Sequence, residues 1–281
     1  MKKLLSISIP TYNRVFDLQV TLNNLIYQIA GKFEDLIEII VSDNASSNNT
    51  LDMLKNFQQK YPNIFRFITN EKNLGFGKNM QVLMDNCQTE YIWFCGDDDI
   101  LYDGIIEKIV NILNNNDYDN IFINYKANPE GICVDIKEDT ITNNLSGFFK
   151  ITNNSSCFIT SNIFRADVIK KAEYHSLNWY HFAKLINFPQ ETKSYLISKP
   201  YITVSRPESN NWNSYKNKFL YNFEFLEAIF KSSLLQKIKL QLFGIYKLST
   251  FHSLQKCKKH CKNEKIDYKA IQSYSYVPKW T

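Results

Sequence analysis

The sequence predicts an α/β fold built on a doubly wound, mainly parallel sheet. Three observations carry this. Short apolar runs alternate with helical patterns through the first ~125 residues. The second run, Leu36-Ile37-Glu38-Ile39-Ile40-Val41, is almost continuously apolar, as a strand covered on both faces must be. A polar loop follows each of the first four runs, so hydrophilic residues collect at one edge of the sheet.

The elements follow in order. Leu5, Ile7 and Ile9 alternate with Ser6 and Ser8, which is a strand, and Pro10-Thr11-Tyr12-Asn13 ends it. Leu18, Leu22, Leu25, Ile26 and Ile29 recur at helical spacing, with Gly31 as a stop. After the second strand come a polar loop over 43–49 and a short helix over 51–60. Ile64-Phe65-Arg66-Phe67-Ile68 is a third strand, and a helix over about 77–86 follows Asn73-Leu74-Gly75. Tyr91-Ile92-Trp93-Phe94-Cys95 is a fourth strand, stopped by Gly96 and three aspartates. Ile105, Ile109, Ile112 and Leu113 mark a helix, and Ile121-Phe122-Ile123 a strand. Beyond this the pattern loosens. Cys157-Phe158-Ile159 and Tyr195-Leu196-Ile197 read as strands, 166–173 and 179–187 as helices, and about 214–262 as mostly helical.

Composition narrows the function. A 44% hydrophobic, 22% charged chain is globular rather than disordered. The net charge of +5 is unevenly placed. Residues 231–281 carry 11 Lys against Glu264 and Asp267, while residues 1–230 are slightly acidic. That balance argues against nucleic-acid binding by the body and allows the tail to approach an anionic surface. Met1-Lys2-Lys3 leads straight into a strand pattern, so no signal peptide is expected, and no apolar run is long enough to span a membrane. The six scattered cysteines form no framework, which suits reduced thiols in a cytoplasm.

In a doubly wound sheet, ligands bind beyond the carboxyl ends of the strands. Thr11, Tyr12, Asn13 and Arg14 stand there after the first strand, and Asp43 and Asn44 after the second. Asn73, Gly75 and Lys78 follow the third, and Asp97, Asp98 and Asp99 the fourth. Three successive carboxylates repel one another unless a cation is near. Hard Mg²⁺ or Mn²⁺ favours such oxygen ligands and can share them with a diphosphate. The plain alternative is an acidic turn capping the next helix.

Four stretches, in order, resemble glycosyltransferase family 2: Ser6 to Arg14, Ile39 to Ser46, Asn70 to Gly75, and Tyr91 to Leu101, the last similar to the strand bearing the DxD motif. The Gly-Asp-Asp-Asp form resembles an abequosyltransferase-like subgroup. The resemblance implies a GT-A fold in three parts. Residues 1–125 form the nucleotide-sugar half, 126–225 the acceptor half of the same domain, and 226–281 a helical basic extension. It implies that Pro10, Thr11, Tyr12 and Arg14 shape the nucleotide pocket. Asp43 would accept from the base, and Asn73, Gly75 and Lys78 would lie near the nucleotide. Asp97, Asp98 and Asp99 would hold ribose and metal, with Asp98 the favoured ligand. Gly96 falls where the family commonly has its first Asp. Taken singly, Pro10 equally suits a strand end, Tyr12 packing, and Asp43 a turn.

An inverting transfer needs a base for the acceptor hydroxyl. Family members usually supply Asp or Glu on a later helix; the corresponding stretch here is Asn178-Trp179-Tyr180-His181, without a carboxylate. His181 is the candidate base. Glu173, His175 and Glu191 are rivals, and Trp179 is a candidate platform for an acceptor sugar. In the tail, Leu234, Ile238, Leu242 and Ile245 share one helical face, opposite Lys237, Lys239 and Lys247. That face suits either an anionic membrane or the body itself. His252, Cys257, His260 and Cys261 match no zinc spacing well.

The implied activity is inverting transfer of one sugar from a nucleotide-diphosphate sugar to a saccharide or lipid-linked acceptor of a bacterial surface glycan, with Mn²⁺ or Mg²⁺. It places the chain in the cytoplasm, with the basic tail touching the inner membrane face. A sugar-nucleotide-binding pseudoenzyme is the non-enzymatic alternative. A nucleotidyltransferase should carry a Gly-rich phosphate loop, and Pro10-Thr11-Tyr12-Asn13 is not one.

Overall fold

The computed structural model describes residues 2–115, 117–127, 131–174, 177, 179–204, 228–229 and 231–234. The expected helix over 214–262, the basic face from Lys237 to Lys247, His175, Asn178, His252, Cys257, His260 and Cys261 lie wholly or mostly outside these residues.

Strand β1 is Leu5–Thr11, β2 Ile37–Asp43, β3 Phe65–Thr69 and β4 Tyr91–Phe94. They pair in parallel in the order β3-β2-β1-β4. Helices α1 (Val15–Ile29), α2 (Thr50–Lys60) and α3 (Phe76–Asn86) connect them. Successive connections step outward from β1 to β3, and then the chain returns past β2 and β1 to form β4. Right-handed crossovers therefore put α3 on the opposite face from α1 and α2. α3 packs on β1 and β2, whereas α1 packs against α2. Burial follows the helical period: Leu18, Leu22, Leu25 and Ile29 of α1 are fully buried.

The sheet continues beyond β4 with β5 (Ile100–Leu101), helix α4 (Ile105–Asn115), β6 (Asn120–Ala127), β7 (Thr140–Thr142), helix α5 (Leu145–Thr152), β8 (Asn162–Arg165), helices α6 (Ala166–Lys171) and α7 (Tyr180–Leu185), and β9 (Ser194–Val204). The full order is β3-β2-β1-β4-β8-β6-β9-β5, with β7 on β9. β8 is antiparallel to both β4 and β6. One nine-stranded sheet thus runs through the chain from β1 to β9, across the 125/126 boundary drawn from the sequence.

One expected strand is corrected. Cys157-Phe158-Ile159 lies across two 3-10 turns, Asn153–Cys157 and Ile159–Ser161. Serine and asparagine side chains take the local carbonyls that a ladder would need. Ser156 Oγ donates to Asn153 O at 3.2 Å, Ser161 Oγ to Phe158 O at 2.7 Å, and Asn162 Nδ2 to Ser156 O at 2.8 Å.

Two details fix the segment after α6. Lys184 of α7 is buried, and its Nζ donates to Ile169 O at 3.0 Å and Ala172 O at 2.7 Å, closing the end of α6. Further on, the carbonyl of Leu177 lies against Gly77 in the first turn of α3: a Cβ there would sit 1.8 Å from Leu177 O. Only glycine fits, so this segment is seated at the ligand edge of the sheet. Gly77→Ala should lower the unfolding free energy by about 1–3 kcal/mol in denaturant titrations. Lys78→Ala, at an exposed neighbouring position, should stay within about 0.5 kcal/mol of wild type.

Candidate active site

The strand order reverses between β1 and β4, so their carboxyl ends splay apart and leave a crevice. Thr11 closes β1 on one side and the acidic turn follows β4 on the other. They meet across it: Thr11 Oγ1 donates to Asp97 Oδ2 at 2.7 Å. Arg14, at the start of α1, reaches the same point. Its Nη1 lies 3.0 Å from Asp97 Oδ1 and 2.6 Å from Asp98 Oδ2, so one nitrogen bridges two carboxylates. Thr21 Oγ1 adds a bond to the Asp97 carbonyl at 3.2 Å.

The loop that presents Arg14 is held from outside. Asn13 has φ 57°, a left-handed conformation that asparagine tolerates well. Its N–H donates to Ser46 Oγ at 2.8 Å, and its Oδ1 accepts from Ser47 N at 2.8 Å. The loops after β1 and β2 are thereby tied together. Pro10 is buried under this turn, whereas Tyr12 is 43% exposed on its rim.

Burial sets the electrostatics. It raises the Asp97 carboxyl to about 6, against the downward pull of Arg14, and Asp98 beside it adds to the rise. Burial raises Asp98 too, with Arg14 again opposing. Burial also works against the Arg14 charge, but the two carboxylates outweigh it and hold the guanidinium above its ordinary range. The cluster is a pair of desolvated anions sharing one cation.

The second part of the edge is a chain of amides. Asp43 is 1% exposed; its Oδ1 accepts from Ser46 N at 3.2 Å, while its Oδ2 is buried with no hydrogen-bond partner. An orphaned carboxylate oxygen at the end of a strand asks for a donor from outside the chain. Asn44 Nδ2 donates to Asn73 Oδ1 at 2.9 Å, and Asn44 Oδ1 accepts from Leu74 N at 2.9 Å. Asn73 Oδ1 also accepts from Gly75 N at 2.9 Å, where the backbone turns at φ 80° into α3. Asn79 joins Ser42 and Asn70 beneath. This network carries Asn73, Gly75 and exposed Lys78 to the same edge as Asp43.

Two expected site residues lie elsewhere. Asp99 turns inward: it is 5% exposed and its Oδ2 accepts from Thr160 Oγ1. Asp97 and Asp98 meet Arg14 Nη1, whereas the Asp99 Oδ2 meets Thr160. His181 is 2% exposed, in a helix whose six residues are all buried. Its Nε2 contacts Cys157 O at 2.8 Å and must carry the proton, because a carbonyl only accepts. Burial lowers the ring to about 4. A ring sealed in the core with so little basicity does not suit the role of base. Trp179, two residues earlier, is partly buried against the core. Sequence reasoning missed Thr160, Thr21 and Asn79 and gave Asn70 no role of its own. Thr160 comes just after a run read as a strand, and Asn79 is lost in an Asn-rich composition.

Among the described residues, no three His, Cys, Asp or Glu side chains gather as a metal site. Asp98 and Asp97 offer hard oxygen donors, and one or two carboxylates are what a divalent ion shared with phosphate requires. The donor set therefore fits Mn²⁺ or Mg²⁺ bound jointly with a diphosphate. A cleft of about 830 Å³ opens at the opposite edge, near Lys3, Glu90, Arg165 and Lys170. Three of its cations are engaged: Lys3 by Ile37 O, Lys170 by Cys87 O, and Arg165 by Asp117. The crevice at the strands' carboxyl ends, with its bridged carboxylates and orphaned oxygen, is the better candidate.

A doubly wound sheet with an acidic turn at its switch point is a GT-A architecture. Residues 6–172 match the family model "Glycosyl transferase family 2". The chain belongs to glycosyltransferase family 2. It is similar to the GalNAc(5)-diNAcBac-PP-undecaprenol beta-1,3-glucosyltransferase of Campylobacter jejuni, with 26% identity over 95% of this chain and 86% of that enzyme. Abequosyltransferase RfbV of Salmonella typhimurium shares 39% identity over 100 residues, covering 35% of this chain and 29% of RfbV. The crystal structure of Staphylococcus aureus TarS residues 1–349 superposes with TM-score 0.66 and 20% identity, over 89% of this chain and 72% of that one.

Asp97 gives a testable pH dependence. Its folded value of about 6 lies above the ordinary 3.8, so its ionisation disfavours the folded state. The stability it contributes is full below about pH 4 and is lost as pH rises through about 6. In urea titrations, wild type should lose about 2–3 kcal/mol relative to Asp97→Asn between pH 4 and pH 7.

Proposed function

We propose that this glycosyltransferase moves a single sugar from a nucleotide-diphosphate sugar to a saccharide or lipid-linked saccharide acceptor, with inversion, during assembly of a bacterial surface glycan. The observation that carries the reading is the Arg14-bridged pair Asp97–Asp98 at the β1/β4 switch point. Named relatives include enzymes for an undecaprenol-linked glycan and for poly(ribitol-phosphate).

The roles follow from chemistry. The orphaned Asp43 Oδ2 suits an N–H of the nucleotide base. Thr11, Arg14 and Asp97 line the path toward the ribose and diphosphate, and Tyr12 and Lys78 flank it. Asp98, with Asp97 beside it, would hold Mn²⁺ or Mg²⁺, which supplies Lewis-acid neutralisation of the leaving diphosphate. The mannosyltransferase PcManGT of Pyrobaculum calidifontis, solved in complex with GDP-Man and Mn²⁺, has a similar fold. Arg14 opposes the upward push of burial on both carboxylates and so favours their ionised forms.

With His181 in the core, the rivals for the base are Glu173, Glu191 and His175, the last outside the described residues. Glu173 and Glu191 are both exposed. Glu173 follows Ala172, whose carbonyl Lys184 holds. Glu191 lies just before Ser194, which pairs with Asn120. Trp179, partly buried against the core, would offer the platform for an acceptor sugar. We further propose cytoplasmic action, with the basic segment near an anionic membrane surface.

The test is nucleotide release from UDP-, GDP-, CDP- and dTDP-sugars with Mn²⁺ or Mg²⁺ and a saccharide acceptor. Asp98→Asn should lower turnover by about 10²–10³-fold, whereas His181→Asn, which removes no reacting group, should cost much less. Nucleotide binding without turnover on any acceptor tried would favour a pseudoenzyme, the alternative that the burial of His181 keeps open.

A further inference from the structure

Thr160 is fully buried, far from the crevice in sequence, and bonded at three points to β4 and the acidic turn that follows it. Its carbonyl accepts from Trp93 Nε1 at 2.9 Å, just before the turn. Its hydroxyl accepts from Gly96 N at 2.8 Å and donates to Asp99 Oδ2. The hydroxyl therefore uses both capacities on the two ends of one tight turn. Gly96 makes room for this: a Cβ there would stand 2.4 Å from Asp99 Oδ2. The Asp99 carboxylate fills the space over Gly96 that any larger residue would claim.

Orientation follows from this lock. With Asp99 pulled inward, the two residues before it present their carboxylates to Arg14 in the crevice. The segment bearing Thr160 is itself braced. Cys157 O accepts from His181 Nε2 at 2.8 Å, and Asn162 Nδ2 reaches both Ser156 O and Ser161 Oγ at 2.8 Å. A line of bonds thus runs from α7, through the 3-10 turns, to the acidic turn. It gives buried His181 a task as a strut.

We propose that Thr160 is a positioning residue whose hydroxyl fixes the direction of the Asp97–Asp98 pair and so sets the protein's affinity for a divalent cation shared with a nucleoside diphosphate. This rests on the donor reading above. Thr160 touches neither ion nor nucleotide; it acts through Asp99 and Gly96. Removing the hydroxyl would take the acceptor from the buried Gly96 N–H and one donor from the Asp99 carboxylate, and the turn would relax to recover them.

The test compares wild type, Thr160→Val and Thr160→Ser by electron paramagnetic resonance titration of Mn²⁺ with a saturating nucleoside diphosphate, chosen from UDP, GDP, CDP and dTDP by thermal shift. Binding of the matching nucleoside, which carries no phosphate, is measured in parallel. Thr160→Val should weaken Mn²⁺ binding by about tenfold or more while leaving nucleoside binding unchanged. Thr160→Ser should stay within about twofold of wild type. Thr160→Ala replaces the valine variant if that protein does not fold. Equal Mn²⁺ binding by the hydroxyl-free variant and wild type overturns the proposal, as does a parallel loss of nucleoside affinity. Wild type that binds no Mn²⁺ with any of the four diphosphates overturns the donor reading instead.

Discussion

The structure is organised around two carboxylates that have been taken out of water at the end of a β-strand. Asp97 and Asp98 sit side by side in a crevice where burial alone would drive them to hold protons. Arg14 offsets that cost, and the surrounding parts serve the pairing. The parallel order β2-β1-β4 brings Thr11 opposite the acidic turn. Asn13, by adopting a left-handed backbone, lets the chain turn sharply enough to start α1 with Arg14 facing the crevice. A buried ion pair of this kind is weak evidence of stability, because the desolvation penalty rivals the attraction. Its persistence at a switch point, beside an orphaned Asp43 oxygen, points to binding rather than to fold maintenance.

The parallel strands and the segment from β8 to α7 are mechanically joined. β8 enters the sheet antiparallel between β4 and β6, so the 3-10 turns before it lie behind the acidic turn. Thr160 reaches forward from there to Asp99 and Gly96, and His181 reaches in from α7 to Cys157. On the other face, the segment between α6 and α7 rests on Gly77 at the mouth of α3. One scaffold thus supports the carboxylates from within and seats the opposite rim. Where the chain re-enters the described structure, Ala228, Ile229 and Leu234 are buried, and Ser233 N donates to Asn187 Oδ1 at 2.8 Å. Leu234, read as the first member of an apolar face, is spent on the body.

Much of this was legible in the residues. The alternation of β1, the apolar run of β2 and the polar loops after four strands were enough to give the parallel half and its ligand edge. The rest depends on contacts between distant parts of the chain. Nothing local distinguishes Asp99 from Asp97 and Asp98; the difference is made by Thr160, more than sixty residues on. His181 occupies a short helix buried on every side, a setting that one polar residue among Tyr180, Phe182 and Leu185 hints at only by its company. The run Cys157-Phe158-Ile159 has strand composition, yet flanking serines and an asparagine capture the Phe158 carbonyl and those of Asn153 and Ser156 just before it. The antiparallel entry of β8 follows from the α5 connection, whose pattern is too short to show a period.

The most direct measurement is the anomalous difference density of crystals grown with Mn²⁺ and a bound nucleoside diphosphate. The account predicts one strong peak against the Asp98 carboxylate, in contact with the diphosphate, with the Asp43 oxygen on the base and Asp99 still turned to Thr160. A peak ligated by Asp99, or a nucleotide seated at the opposite edge near Arg165, would contradict it.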